Sequence, residues 1–313
     1  MEKVLITGGC GFIGTKLVHS LIKRNCKVIV IDTQWFGNYL PKNKNLKIIK
    51  SDIRNIDENI LTGVKTVFHL ASVSNDPCSD LNPKLSWEIG PLATFKLLDL
   101  CKKKKVKNFI YASSGSVYGI SKKKKVKEDT PLFPISDYNK QKMITEKVIE
   151  SFSKFFRVVM IRPATVCGVS PRLRLDLSVN MLTFQAVKNK IITVFGGKQI
   201  RPNIHIDDMV SLYNFFHINK KIEGVFNAGF ENLSILEISK KIQNHADCKI
   251  KILKSNDPRS YRLDSSKIIS LGFKPAKGVE DAIIEGIELF RKSTFKIKDK
   301  NLNLKQMIKS KIV

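Results

Sequence analysis

Tyr138 and Lys142 stand four residues apart in the stretch Tyr138-Asn139-Lys140-Gln141-Lys142. On a helix that spacing puts a phenol and an ammonium on one face. A neighbouring ammonium favours the phenolate and draws the tyrosine pKa down from about 10. Such a phenol is a general base usable near neutral pH. Without further context the same pair is a half-buried tyrosine beside a surface lysine. Here the pair opens a helix that follows a serine-rich strand end, Ser113-Ser114-Gly115-Ser116. It also lies downstream of a glycine turn, Gly8-Gly9-Cys10-Gly11-Phe12-Ile13-Gly14. That turn offers the second chemistry: backbone N–H groups and a helix N-terminus presented to a diphosphate.

The elements that must position these groups follow from the apolar pattern. Residues 4–6 form a short apolar run that feeds the turn. Phe12, Ile13, Leu17, Val18, Leu21 and Ile22 then recur at helical spacing. In this reading Gly8 permits the tight turn, Gly11 lets the backbone approach phosphates, and Gly14 lets the helix pack on the strand. A second run, 28–31, ends in Asp32, where an acid can bind the adenosine ribose. The loop after it, 33–39, holds no basic residue to meet a 2′-phosphate, which favours NAD over NADP. A third run, 46–49, leads to Asp52 and Ile53. Asp52 is placed either to accept from an adenine amino group or to cap a helix. The run 64–70 ends in Leu70, Ala71 and Ser72, small enough for a flat ligand to lie against the backbone. A helix is expected over about 83–105 and a further strand over 109–112. Strands alternating with helices give an α/β fold, a Rossmann-type doubly wound parallel sheet.

The bulk properties bound the rest. With 313 residues and 42% hydrophobic content the chain can bury a substantial core. The expected division is a dinucleotide-binding domain over 1–165, to which segments near 200–230 return, and a smaller, mainly substrate-binding lobe over 166–313. No apolar run approaches the roughly 20 residues that span a bilayer. The N-terminus reads as a core strand rather than a signal peptide. Six cysteines without a CxxC pair point to reduced thiols in a cytoplasm and to no metal site. The net charge of +27 admits a nucleic-acid role. The lysine runs 102–105 and 122–125 carry no interleaved aromatics, however, and solvated surface lysines explain them better. The same positive field would draw a diphosphate-bearing substrate.

Taken in order, the glycine turn, Asp32, Asp52-Ile53, His69-Leu70-Ala71, Ser113 to Gly119 and Tyr138 to Lys142 resemble the extended short-chain dehydrogenase/reductases. Within these the chain is similar to the NAD-dependent nucleotide-sugar epimerase/dehydratase group over nearly its whole length. The resemblance implies that Ser114 orients a sugar hydroxyl, with Ser116 beside it. Tyr138 is then the base and Lys142 anchors the nicotinamide ribose. It also implies a homodimer formed through helices near 85–105 and 137–155. One position departs from the family pattern: Gly90 stands, before Pro91, where the family usually has Asn. A Gly-Pro pair is unfavourable inside a helix and signals altered helix geometry near the nicotinamide.

In the second half, residues 170–180, including Asn180, resemble a subgroup acting on activated sugars for surface polysaccharides. Residues 195–208 resemble the family's substrate-phosphate segment, in which Arg201 could hold a diphosphate through its planar fork, with Arg259 as a second candidate. His205 is expected to be structural, and the basic tail beyond Phe290 to be partly loose. The implied reaction is NAD-dependent oxidation and reduction at C4 of a nucleotide-diphosphate sugar. A 4-epimerase is foremost, with 4-dehydrogenase and 4-ketoreductase as alternatives. A 4,6-dehydratase would carry an Asp-Glu pair after the hydroxyl residue, where Gly115-Ser116 stands. A non-catalytic dinucleotide- or nucleic-acid-binding protein on the same scaffold is the remaining alternative.

Overall fold

The computed structural model describes residues 1–119, 125–254 and 260–312. In chain order it begins with strand β1 (Lys3–Thr7), helix α1 (Phe12–Lys23), β2 (Lys27–Asp32), β3 (Leu46–Lys50) and β4 (Thr66–His69). Helices α2 (Asp76–Leu81), α3 (Pro83–Trp87) and α4 (Ala93–Lys103) lead to β5 (Asn108–Ala112), α5 (Asp137–Glu150), β6 (Arg157–Pro163) and β7 (Thr165–Cys167). There follow α6 (Ser178–Asn189), β8 (Ile191–Phe195), β9 (Ile200–His205), α7 (Ile206–Ile218), β10 (Gly224–Ala228) and β11 (Glu231–Ser234). The chain ends with α8 (Ile235–His245), β12 (Lys249–Leu253), α9 (Ser266–Ser270), α10 (Val279–Arg291) and α11 (Asn303–Lys309).

Seven strands form one sheet in the order β10-β6-β5-β4-β1-β2-β3, and every neighbouring pair is parallel. Its strands are near-continuous apolar runs because both faces are covered. On one face Leu17, Val18 and Leu21 of α1 pack with Met209, Leu212, Tyr213 and Phe216 of α7. On the other lie Leu97 and Leu98 of α4 and Ile149 of α5. The chain reverses direction across the sheet between β1 and β4, so a crevice opens at their carboxyl ends. This is the Rossmann-type doubly wound sheet expected from the sequence. The later segments make a three-stranded sheet, β11-β9-β7, and a two-stranded one, β12-β8. Helices α6, α8 and α10 pack there around an apolar cluster of their own.

Two expectations change. The helix expected over 83–105 is interrupted: Glu88–Leu92 is a π-helical turn between α3 and α4. Pro91 has no N–H to give to a carbonyl four residues back. The chain widens instead, and the Ala93 N–H reaches the Glu88 carbonyl, five residues back. The Gly90 carbonyl accepts from the Thr94 hydroxyl at 2.6 Å. A Cβ on Gly90 would lie 2.2 Å from Oε1 of Gln141, so the glycine makes room for that side chain. The tail beyond Phe290, in turn, is not loose. It forms α11, whose Met307 is buried in the sheet-face cluster that holds α4.

Candidate active site

A cavity of about 360 Å³ occupies the crevice. The glycine turn forms one wall. Gly8 has φ +73°, and a Cβ there would lie 2.7 Å from the Ala71 nitrogen. A Cβ on Gly14 would lie 2.4 Å from the Gly8 carbonyl oxygen. Gly14 therefore lets α1 pack on the turn itself rather than on the strand. Gly11 is the N-cap of α1 and supplies no side-chain cap, so the first N–H groups of the helix are left to a ligand. Gly8, Gly11, Phe12, Ile13 and Gly14 all line the cavity, as do Asp32, Asp52, Ile53, Leu70, Ala71 and Ser72.

The carboxylate of Asp32 is fixed at the end of β2. Its two oxygens accept from the Cys10 N–H at 2.9 Å and the Gln34 N–H at 2.7 Å. Asp52 takes the capping alternative: it accepts from the Arg54 N–H, and the Arg54 guanidinium grips both its oxygens. Ala71 is tied to the π turn by a directed chain. Its N–H donates to Thr7 Oγ1 at 3.2 Å, and Thr7 Oγ1 lies 2.7 Å from His69 Nδ1. His69 Nε2 lies 2.8 Å from Thr94 Oγ1, whose single proton goes to the Gly90 carbonyl. His69 must therefore carry its proton on Nε2 and accept on Nδ1. Burial, with the Lys142 charge, pushes its pKa down to about 3, so the ring stays neutral.

Helix α5, capped by the Ser136 hydroxyl on the Asn139 N–H, carries the expected pair into the same cavity. Tyr138, Lys142, Ser114 and Ser116 all line it. Ser114 Oγ lies 2.7 Å from Ser116 Oγ and is near enough to the Tyr138 hydroxyl to favour the phenolate. Lys142 Nζ donates to the Ala112 carbonyl at 2.7 Å and sits 6.0 Å from the Tyr138 ring centre. One sequence expectation fails here. Burial pushes Tyr138 up to about 12, against the lowering effects of Ser114 and Arg174. Burial likewise pushes Lys142 down to about 7. The phenol is not acidified in this arrangement: burial disfavours the charged form of each group and dominates both shifts, with Lys142 tied to the Ala112 carbonyl.

The second half contributes a group that sequence reasoning passed over. The loop between β7 and α6 brings Arg172, Arg174 and Asp176 to the cavity. Arg174 grips Asp176 through Nε and Nη2 at 2.9 and 2.8 Å, and Asn75 donates to the same carboxylate. The signal available was the Arg-Leu-Arg-Leu-Asp alternation. The segment shows only a resemblance to a subgroup acting on activated sugars, which does not single out these side chains, and both arginines are buried.

Asn180 lies outside the residues that line the cavity. Its amide oxygen accepts from the Gly168 N–H and its two N–H donors go to the Gly168 and Arg174 carbonyls, so it braces the loop and keeps only the second lone pair of its oxygen for a ligand. Arg201, on β9, is partly buried outside the cavity lining. Arg259 lies outside the described residues. His205 caps α7 by accepting from the Asp207 N–H, the structural role expected for it.

The glycine cradle, the uncapped helix start and the anchored Asp32 fit a dinucleotide. Residues 4–229 match the NAD-dependent epimerase/dehydratase family. The chain is 32% identical over 311 residues to an uncharacterised UDP-glucose epimerase of Bacillus subtilis, covering 91% of this chain and 96% of that one. A UDP-N-acetylglucosamine 4-epimerase of Methanobrevibacter ruminantium, solved with UDP-N-acetylmuramic acid, superposes with a TM-score of 0.84 at 28% identity. That match covers 92% of this chain and 98% of that one. A UDP-glucuronic acid 4-epimerase of Bacillus cereus, solved with UDP-glucuronic acid and NAD, gives 0.80 at 29% identity over 92% and 99%.

Proposed function

The chain belongs to the NAD-dependent epimerase/dehydratase family, and from that premise we propose that it is an NAD-dependent nucleotide-sugar 4-epimerase. The observation that carries this reading is the meeting of Tyr138, Ser114 and Lys142 with the glycine turn around one cavity. Gly8, Gly11, Phe12, Ile13, Gly14, Asp32, Ile53, Leu70, Ala71 and Ser72 hold the cofactor, and Asp52 supports the wall at the adenine end. When bound, NAD supplies a hydride acceptor for C4 and, in its oxidised form, a positive charge that favours the Tyr138 phenolate. Tyr138 takes the proton of the C4 hydroxyl, and Ser114, which lines the same cavity beside the phenol, orients that oxygen. Ser116 fixes Ser114. Lys142, anchored on the Ala112 carbonyl, holds the ribose hydroxyls and supplies protons at a pKa near the working pH.

The substrate is a nucleotide-diphosphate sugar, with Arg201, in the lobe formed mainly by residues 166–313, and Arg259, outside the described residues, as the candidates for its diphosphate. The dinucleotide domain takes residues 1–165 with the returning segment near 200–230. Gly115 and Ser116 after the hydroxyl residue speak against dehydration. The protein works in the cytoplasm, in surface-polysaccharide assembly. It pairs as a homodimer through α4 and α5, where Leu92, Phe95 and Ile144 leave apolar surface exposed. Among the described residues no helix is long and apolar enough to cross a membrane.

The test is product analysis by NMR over a panel of UDP-, dTDP-, GDP- and CDP-sugars, with Tyr138→Phe as the control. A C4 epimer that forms with the wild type and falls by roughly two to four orders of magnitude with the variant supports the reading. Turnover that survives the substitution refutes the assignment of the base.

A further inference from the structure

Arg172 carries a charge on the cavity wall that Asp32 and Asp176 attract but no carboxylate grips. Its side chain is 2% exposed. The guanidinium lies over Phe36, 4.2 Å from the ring centre. Nη2 donates to Asn303 Oδ1 at 2.5 Å, and the amide of Asn303 in turn donates to Ser74 Oγ at 2.8 Å. Nε and Nη1 are buried with no hydrogen-bond partner.

The neighbouring charges do not complete it. Arg174 repels it, and Asp176 is spent on Arg174 and Asn75. Asp32 attracts it, but both Asp32 oxygens already accept backbone N–H groups. Burial, reinforced by Arg174, pushes Arg172 down to about 9. A buried guanidinium with unused donors is a liability to the fold by itself. It becomes an asset only when an anion arrives to meet it.

We propose that Arg172 is a phosphate-binding residue for the dinucleotide, contributed by the loop between β7 and α6 and held ready by Phe36 and Asn303. The proposal rests on the cofactor reading above. A planar group with several N–H donors suits phosphate oxygens, and it lines the same cavity as the N-terminus of α1. The diphosphate of a nucleotide sugar has the same chemistry, but the neighbours of Arg172 place it at the cofactor end. Phe36 belongs to the loop after Asp32, Ser74 follows β4, and Asn303 starts α11. Arg174, not Arg172, is the arginine that acts on Tyr138.

The experiment titrates NADH, NADPH and UDP by fluorescence or calorimetry into full-length wild type, Arg172→Met and Arg172→Lys, alongside ligand-free thermal unfolding. For Arg172→Met the NADH Kd rises roughly tenfold or more, since charge-assisted hydrogen bonds are lost. The UDP Kd stays within about twofold, and the ligand-free Tm is unchanged or higher because a buried charge has gone. A purely structural arginine would give the opposite pattern, a lowered Tm with NADH binding intact, and that result overturns the proposal. So does a loss confined to UDP or to NADPH. Should Arg172→Met not fold, Arg172→Lys decides: it keeps the charge without the planar donors, and NADH binding equal to wild type overturns the proposal, whereas a severalfold loss upholds it. A wild-type protein that binds no NADH fails the cofactor reading itself, a result separate from any effect of the variants.

Discussion

Adding a single methyl group at Gly90 tests the π turn beside the site. The Cβ of Gly90→Ala would stand 2.2 Å from Oε1 of Gln141 and 3.1 Å from its Cδ. Gln141 is fully buried, and neither atom of its amide has a partner that it could follow to a new position. Overpacking of this kind costs about 1–3 kcal/mol, while Ala in place of Gly returns about 1 kcal/mol of helix preference. Gly90→Ala should therefore destabilise by about 0–2 kcal/mol. Gln141→Ala removes two unsatisfied buried atoms, a gain of about 1–3 kcal/mol, against about 0.8 kcal/mol for each buried methylene lost. It should come out near neutral. In the double variant the clash is gone and the helix preference remains, so Gly90→Ala now stabilises. The coupling between the two sites should be about 1–3 kcal/mol, the cost of the clash itself and above what distant sites show. Urea midpoints of the four proteins, at matched m-values, measure it. Equal effects of Gly90→Ala in both backgrounds would refute the claim that the glycine exists to seat Gln141.

Two further substitutions probe the catalytic helix. Lys142, at about 7 when folded, titrates near 10.4 in an unfolded chain. Between those values the unfolded chain holds a proton that the folded one has released, so wild-type stability rises with pH there and the penalty is fully present below about 7. Lys142→Met does not titrate and should gain on the wild type by about 3 kcal/mol as the pH falls from about 9.5 to about 7. Denaturation curves at the two pH values that move in parallel would count against the buried lysine. Glu146, one turn beyond Lys142, is gripped by Arg162 Nε and Nη2 in a pair buried on both sides. Glu146→Ala leaves that guanidinium uncompensated and should cost about 3–5 kcal/mol; a thermal-shift change of only a degree or two would contradict this.

The sequence displayed what is local. The glycine turn, the apolar strands and the Tyr138 to Lys142 spacing are read within windows of a few residues, and the structure keeps each of them. Long-range matches were not legible. The reason for Gly90 lies on another helix, in Gln141. Nothing in the neighbourhood of Asn180 reveals that its amide braces the Gly168 and Arg174 backbone. The tail resembled loose chain because its anchors are distant: Gln306 Nε2 donates to the Trp35 carbonyl, and Asn301 to that of Leu173. The rise in the Tyr138 pKa was hidden for the same reason, since spacing reports which charges are near but not how far water is excluded.

That exclusion of water also separates an enzyme from a scaffold that merely binds. The lysines behind much of the net charge of +27 behave as solvated surface where the structure describes them. Lys103 pairs with Asp99 and Lys104 with Glu58, both at the protein exterior, and such pairs contribute little. Lys142 is different. Burial holds it down to about 7 at a cost in stability, and a dinucleotide could be held by the glycine cradle and Asp32 without it. The same burial keeps the Tyr138 hydroxyl protonated until a cation enters, against the opposing influence of Ser114. Two titratable groups with pKa values displaced in opposite directions, with the Ser114 hydroxyl in the same cavity, amount to an arrangement for moving a proton. Binding alone gives no reason to maintain it.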